Sequence, residues 1–432
     1  MSSAPDGRAT ALTGDVPGIS ARAASAPFYG WRVVAVCFVT AAFAWGLGLF
    51  GASVYLKAVT AARGWSVSLV SGAVTGFYLV SAIAAAAVGR GIDRWGARTI
   101  MIGGTLALSL GVASVGLVSS PWQLYLAFLV MGVGWSCLST TGLTATIAPW
   151  FERHQGRAAT LALTGASAGS MIGVPALLFG IDRLGLTQAM FAAAILTTAT
   201  LLPLHAIVLR YRRPEDTGRC RDGDEAGAAP AAFEPSPLRW DRADAVRTAA
   251  FWSVAVAFGL ALMIQIGFLT HHVNFAAATL GAGGAGLLVS ATGFTALLGR
   301  LLLAKIVDRV DVRRLASGLL LLHALSLGAM SLWPGTAVLI AASLAYGFAL
   351  GQITTLSSVI LRREFGAASF GAIYGTAAAV IQLTSSFGPA LYGVLRDAFD
   401  GYGPVLALAA AMDIVAMVVV FAARRGPPLK PR

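Results

Sequence analysis

One arginine, Arg300, stands inside a long apolar stretch of this 432-residue chain, eight residues before Asp308. On a helix rising about 1.5 Å per residue it lies about 12 Å in from the charged loop that follows. A guanidinium at that depth of a bilayer costs at least about 2.5 kcal/mol on insertion scales, which a water-filled cavity or an anionic partner offsets. Its planar fork of donors matches a carboxylate, so binding a carboxylate-bearing molecule is the first chemistry to consider. The competing reading is structural, with the side chain snorkelling to the interface or pairing with another helix.

Gln265, His271, His272 and Asn274 share the preceding apolar stretch. Gln265 falls near its middle, with the histidines about 9 Å nearer one end. Histidine changes charge near neutral pH, so His271 is a candidate to bind substrate or relay a proton; a solvated ring at the rim is the plain alternative. Tyr346, Gln352 and Tyr374 offer further hydrogen bonds, although a buried phenol packs more often than it binds. Asp413 is the one clear carboxylate in the middle of an apolar stretch. No nucleophile–base set, metal-ligand cluster or phosphate-binding lysine loop is visible, so the chain reads as a non-enzyme that needs no cofactor. Gly46-x-Gly48-x-x-Gly51 fits a dinucleotide-binding expression but follows no strand. Cys37, Cys137 and Cys220 show no metal or redox spacing.

The elements that hold these residues follow from composition. With 57% hydrophobic and 12% charged residues and a mean hydropathy of +0.76, the chain takes the bilayer as its solvent. A crossing needs about 20 residues, leaving room for roughly a dozen. Apolar segments fall at about 31 to 56, 66 to 89, 99 to 118, 122 to 149, 157 to 181 and 187 to 210, then about 248 to 275, 284 to 307, 313 to 332, 335 to 361, 369 to 395 and 403 to 423. The expected organisation is a disordered cytoplasmic tail over 1–27, a six-helix bundle over 28–210, a flexible cytoplasmic interdomain loop over 211–247, a second six-helix bundle over 248–424 and a cytoplasmic tail over 425–432. The net charge of +12 does not point to nucleic acid, because the basic residues sit in short loops and termini. With both termini cytoplasmic, only Lys57, Arg63, Arg183 and Arg396 face outward, and apart from Arg300 every other Lys and Arg lies inside. That asymmetry predicts twelve crossings of a plasma membrane, the inner membrane of a bacterium.

Gly89-Arg90-Gly91-Ile92-Asp93-Arg94-Trp95-Gly96-Ala97-Arg98 recurs 215 positions later, where Asp308, Arg309 and Arg313 match Asp93, Arg94 and Arg98. Pro175-Ala176-Leu177 likewise matches Pro389-Ala390-Leu391, and Gly132 matches Gly347. Two similar bundles with an axis along the membrane normal, holding substrate between them near the midplane, suit a rocking carrier. Gly165, Gly169 and Gly173, four apart, predict close approach of a neighbouring helix. The charged repeat also suggests a gate: Asp93 would accept hydrogen bonds from Arg94 or Arg98, or cap a helix of the other half.

The motif Gly89-x-x-x-Asp93-Arg94-x-Gly96-x-Arg98 resembles the signature loop of the major facilitator superfamily. Phe28-Tyr29-Gly30-Trp31-Arg32, Tyr55-Leu56-Lys57, Gly64-Trp65-Ser66, Trp150-Phe151-Glu152-Arg153-His154 and Arg362-Arg363-Glu364-Phe365-Gly366 are similar to the monocarboxylate and oxalate/formate porters within it. The resemblance implies an all-α fold of twelve transmembrane helices in two pseudo-symmetric halves, with helices 1, 4, 7 and 10 lining the cavity and helix 12 peripheral. Asp413 then reads as a structural partner and not a proton carrier. Arg300 matches the carboxylate-binding arginine of monocarboxylate porters. The aspartate that precedes that arginine by one turn in proton-coupled members is Ala296 here, which removes proton coupling through such a pair. The lysine of oxalate/formate exchangers in helix 11 is also missing from Phe370 to Leu395, which favours a monoanion. The expectation is a monomeric secondary carrier of a small monocarboxylate, by proton symport or anion exchange. Its substrate site would comprise Arg300, His271, Gln265, Tyr346, Gln352 and Tyr374, and its gate Gly89, Asp93, Arg94, Arg98, Asp308, Arg309 and Arg313. The alternatives are an efflux carrier for a larger amphipathic compound and a solute sensor.

Overall fold

The computed structural model describes residues 28–223, 240–366 and 369–422. The expected tails at 1–27 and 425–432 therefore lie outside the described residues. All regular structure among the described residues is helical. Eleven helical stretches are long and apolar enough to cross a membrane, and one of them runs 55 residues. At about 1.5 Å per residue that stretch would reach about 80 Å, far beyond the roughly 30 Å of a hydrocarbon core. It folds back at Gly281, whose φ of 70° is open to glycine and strained for other residues. Twelve crossings result among the described residues, with Phe28 and Ala422 on one face, called here the terminal face.

The crossings are α1 Gly30–Arg63, α2 Val67–Trp95, α3 Ala97–Val115, α4 Pro121–Ile147, α5 Gln155–Leu184, α6 Leu186–Val208, α7 over 249–280, α8 over 282–306, α9 Val312–Leu332, α10 Thr336–Phe365, α11 Phe370–Phe399 and α12 Gly403–Ala422. Several exceed the stretches that hydropathy marks: α2 runs on to Trp95 through Asp93 and Arg94, because a charged turn at a helix end is solvated there and need not end the helix. Chemistry local to each terminus sets the ends. Ser66 accepts from Leu69 N–H at the start of α2, and Asp311 accepts from the N–H groups of Arg313 and Arg314 at the start of α9. Leu110, Ile172, Ile195, Leu287 and Leu325 stay exposed on the outside of the bundle, as a lipid-facing surface requires.

Four crossings are irregular near their middles. α1 and α5 carry π-turns at Trp45–Leu49 and Gly169–Gly173, and these lie against each other: a Cβ on Gly173 would sit 3.0 Å from Gly46 Cα. The four-residue glycine spacing of α5 is thus used for close approach to α1. α4 breaks at Ser139, where ψ is −170°, and α11 breaks between Ser385 and Gly388. Non-helical backbone at membrane depth is tolerated where it is covered by protein or lines a cavity.

Within the first half, His205 of α6 bonds Thr40 of α1 at 2.8 Å and Thr105 of α3 at 3.1 Å. The halves touch mainly toward the face opposite the termini. Ser68 N–H of α2 donates to Asp397 of α11 at 2.7 Å, Ala390 N–H donates to Thr75 at 3.0 Å, and Ser290 of α8 donates to the Met171 carbonyl of α5 at 2.9 Å. At the terminal face Asp93, Arg94, Arg98 and Arg309 are exposed. The structure is therefore closed on one side and parted on the other.

The described ends of the interdomain segment are anchored. Asp222 takes the N–H groups of Glu152, Arg153 and His154 at 3.1, 2.9 and 3.1 Å, pinning the loop between α4 and α5. Burial works against its charge, but these donors and the His154 ring outweigh it and hold the carboxyl below its ordinary range. At the other end Trp240 packs edge-on against Phe365 at 5.5 Å.

Candidate substrate-binding site

Arg300 lies on α8 two turns from its end at the terminal face. α8 and α10 run side by side in the same direction, separated by little more than backbone. A Cβ on Gly351 would collide with the Ala296 carbonyl, and one on Gly299 would collide with the Phe348 carbonyl. The two contacts together place Gly351 at about the level of Arg300. Arg300 Nε donates to the Gly351 carbonyl at 3.0 Å, so the side chain is tied across to the backbone of α10 at about its own depth. Thr354 Oγ1 also donates to that carbonyl, at 3.3 Å, which fixes the acceptor in place.

Beyond Nε, the guanidinium has no acidic partner among the described residues and is only partly buried. A cation held so far from either face, with its terminal N–H groups unspent on protein, is ready for an anion. Gln352 stands beside it, its amide nitrogen 3.0 Å from where a Cβ on Gly299 would lie, and donates to the Phe348 carbonyl at 3.2 Å. Tyr374 of α11 bonds Ser357 on the next turns of α10 and stacks on Phe370 at 5.4 Å. Arg300, Gln352 and Tyr374 are therefore gathered along α10.

The remaining sequence candidates lie elsewhere. His271 sits in the closed side. Its Nδ1 bonds the Tyr402 hydroxyl at 2.9 Å, and its Nε2 reaches Ser71 of the first half and the Pro389 carbonyl, both at 3.2 Å. Asn274 donates to Tyr402 at 3.0 Å, completing a hydrogen-bonded network. Every polar atom of the His271 ring is occupied by protein in this state. Tyr346 is fully buried, sandwiched between Phe268 and His323, and Gln265 is buried with its Oε1 unpartnered.

The hinge residues divide in the same way. Arg94 lies over Trp95 at 5.4 Å, and Gly96 turns the chain with φ of 87° beneath Arg212, whose Nη2 donates to the Trp95 carbonyl at 3.0 Å. Gly89 has open space around its Cα. Asp93 opens onto a crevice shared with Arg212 and Arg213, and bonds to neither Arg94 nor Arg98 in this state. The side chain of Asp308 lies outside the described residues. Arg313 is buried: it pairs with Glu364, Nη2 to Oε2 at 2.9 Å, and donates to Ser253 and to the carbonyls of Ala250 and Val420. It ties together α7, α9, α10 and α12, a staple within one half.

Two functional features escaped sequence reading. Asp397, which drew no notice in the sequence, caps the N-terminus of α2 from the other half. His323 of α9 meets Asp413 of α12 at 3.8 Å, both completely buried. The only sequence signal for the second pair was two ionisable residues in the middle of apolar helices.

Known proteins match this architecture. The chain is similar to the crystal structure of nucleoside transporter NupG, with a TM-score of 0.70 at 13% identity, covering 91% of this chain and 98% of that one. At that identity the likeness shows the fold alone. In sequence it is similar to monocarboxylate transporter 11 of Homo sapiens, 30% identical over 73% of this chain, and of Mus musculus, 31% identical over 73%. It spans 66% of the human protein's length and 70% of the mouse protein's. It is also 33% identical over 29% of its length to the fujikurins efflux protein of Gibberella fujikuroi. The family model of the Major Facilitator Superfamily matches residues 35–281, more than half of the chain. This multi-pass membrane protein, a secondary transporter and not an enzyme, belongs to the Major Facilitator Superfamily.

Proposed function

We propose that this transporter moves a small organic anion, a monocarboxylate, by rocking its two halves about a site at Arg300. The observation that carries the reading is the Arg300 guanidinium, anchored through Nε to the α10 backbone within the membrane and paired with no acid among the described residues. Gln352 and Tyr374 contribute hydrogen bonds beside it, and the lack of a second intramembrane cation nearby among the described residues suits a single negative charge. The likeness to monocarboxylate transporter 11 over 73% of the chain supports the same substrate class.

The distribution of Lys and Arg supports a cytoplasmic terminal face, and the membrane in this reading is a plasma membrane, the inner membrane of a bacterium. The conformation described is then inward-open, with Ser68, Ser71, His271 and Asp397 closing the outer side. Gly89, Asp93, Arg94, Arg98, Asp308 and Arg309 would meet across the halves only when the cytoplasmic side closes. The carrier acts as a monomer and is driven by a proton or an exchanged anion.

Efflux of a larger amphipathic compound is the second reading, supported by partial likeness to the fujikurins efflux protein. Purified protein in liposomes, offered labelled lactate, pyruvate, succinate and a cationic dye, separates the two. Uptake of the monoanions that Arg300→Ala abolishes in a folded protein is the expected result. Dye movement without carboxylate movement would replace this reading with efflux.

A further inference from the structure

The second half contains a buried polar pocket that the anion site does not use. Asp413 and His323 are both 0% exposed, with Oδ2 and Nδ1 3.8 Å apart. Neither carboxylate oxygen nor either ring nitrogen has a hydrogen bond of ordinary geometry. The hydroxyls of Tyr346 and Tyr392, the Nδ1 of His272 and the Oε1 of Gln265 are equally buried and unpartnered. These atoms make up most of the unpartnered buried polar side-chain atoms among the described residues. His205 in the first half shows the contrast: two threonine hydroxyls satisfy both of its nitrogens.

The titratable groups around Asp413 come from each helix packed on α12. α9 contributes His323; α7 contributes His271 and His272; α11 contributes Tyr392, with Arg396 and Asp397 beyond it acting on His271. From α10, Tyr346 stacks on His323 with centroids 4.0 Å apart, and both Tyr346 and Tyr392 lie within the electrostatic reach of Asp413. No lysine or arginine is bonded to the carboxylate. An ionised Asp413 beside a neutral His323 would be a bare charge in a low-dielectric interior, which proteins avoid. The pair is stable when it holds one proton, either on the carboxyl or on the imidazole, because both arrangements are net neutral.

The pocket also touches the gate. The Tyr392 ring lies 5.6 Å from that of His271 and fills the space above Gly267, where a Cβ would collide with it. His271 in turn bonds Ser71 of the first half at 3.2 Å. Parting the halves on that side would break the Ser71 bond and free the His271 ring, which packs on Tyr392.

We propose that Asp413 and His323 form a proton-binding site of this carrier, reached from the gate through His271 and Tyr392. One O–H or N–H bond forms as the pair takes a proton from water on one side, and the same bond breaks to return it on the other. The proton site stands on its own geometry; the further claim, that its proton travels with a carboxylate on Arg300, rests on the proposed function. A loaded carrier then adds one anion and one proton, so no net charge crosses.

Infrared difference spectra of the purified protein between acid and alkaline pH test the site without any substrate. A carboxylic-acid C=O band that Asp413→Asn removes and His323→Gln shifts is expected; spectra of Asp413→Asn superimposable on wild type would overturn the proton site. In liposomes, labelled lactate and pyruvate are followed with acid outside and at equal pH. Asp413→Asn, an uncharged mimic of the protonated carboxyl, should lose the stimulation by the gradient and keep counterflow at equal pH, whereas retained stimulation overturns the coupling. If wild type moves neither carboxylate, the proposed substrate class fails and the infrared result still decides the proton site.

Discussion

Replacing Gly351 with alanine tests the anion site without touching its charge. A Cβ there would collide with the Ala296 carbonyl oxygen and lie 2.9 and 3.1 Å from the carbonyl carbon and Cα of the same residue. All three obstacles belong to rigid helical backbone, so α10 must move away from α8 by roughly 0.5 to 1 Å, and overpacking of this kind costs about 1–3 kcal/mol of stability. The same shift carries off the carbonyl that accepts from Arg300 Nε at 3.0 Å. A hydrogen bond from a charged group contributes about 1.5–3 kcal/mol, which at about 1.4 kcal/mol per decade is roughly a 10- to 100-fold rise in the half-saturating concentration of a carboxylate. Gly371→Ala, where a Cβ meets nothing within 4 Å, is the matched control on a neighbouring helix. Concentration dependence of labelled lactate or pyruvate uptake into liposomes measures the effect, with thermal unfolding of the same preparations to record stability. Wild-type affinity in a folded Gly351→Ala protein would show that the α8–α10 contact does not orient Arg300, and the site assignment would fall with it.

Arg300→Lys keeps a positive charge but loses the fork, so carboxylate uptake should fall by about the same 10- to 100-fold, short of the full loss expected for Arg300→Ala; equal uptake by the two variants would argue against bidentate binding. Asp397→Ala removes the cap on α2 and should shift the balance away from the state closed at the face opposite the termini by about 1 kcal/mol, read as faster cysteine labelling from that side. Asp93→Asn should impair transport and shift accessibility the other way, and unchanged uptake with unchanged labelling would remove Asp93 from the gate. For Asp222, a carboxyl held below its ordinary range contributes stability above its unfolded pKa and loses it as pH falls through the lower folded value. Hydrogen exchange at the amides of Glu152, Arg153 and His154 should therefore stay slow at neutral pH and quicken only in acid, with Asp222→Ala fast throughout.

Much of the architecture was legible because each signal was local. Twelve crossings follow from runs of apolar residues, and the hinge repeat from ten consecutive letters. Arg300 stood out because a cation within an apolar helix is expensive wherever the helix packs. What stayed hidden depends on partners far apart in the chain. His271 meets Ser71 and Tyr402, about 200 and 131 positions away, and nothing near it signals that its ring is already spent on a gate. Asp413 reads from sequence as a structural partner with no partner named, and His323 carries no signal of its own until α9 and α12 are laid side by side. The breaks at Ser139 and in the π-turns of α1 and α5 escaped for another reason: neighbouring helices, not the local residues, decide where a strained turn is tolerated.

The fold at Gly281 ties two of these sites together mechanically. His271 lies ten residues before it on α7 and Arg300 nineteen after it on α8, and it is the one residue off helical geometry between Ala249 and Ile306. A connection that short leaves no spool of loose chain to absorb motion. In the proposed carrier, a shift of α7 that takes His271 away from Ser71 would drag α8 like the second arm of a crank, and a cargo held on Arg300 would pull on the latch in return. Lengthening the joint with a few flexible residues would leave both sites whole and let each turn without the other.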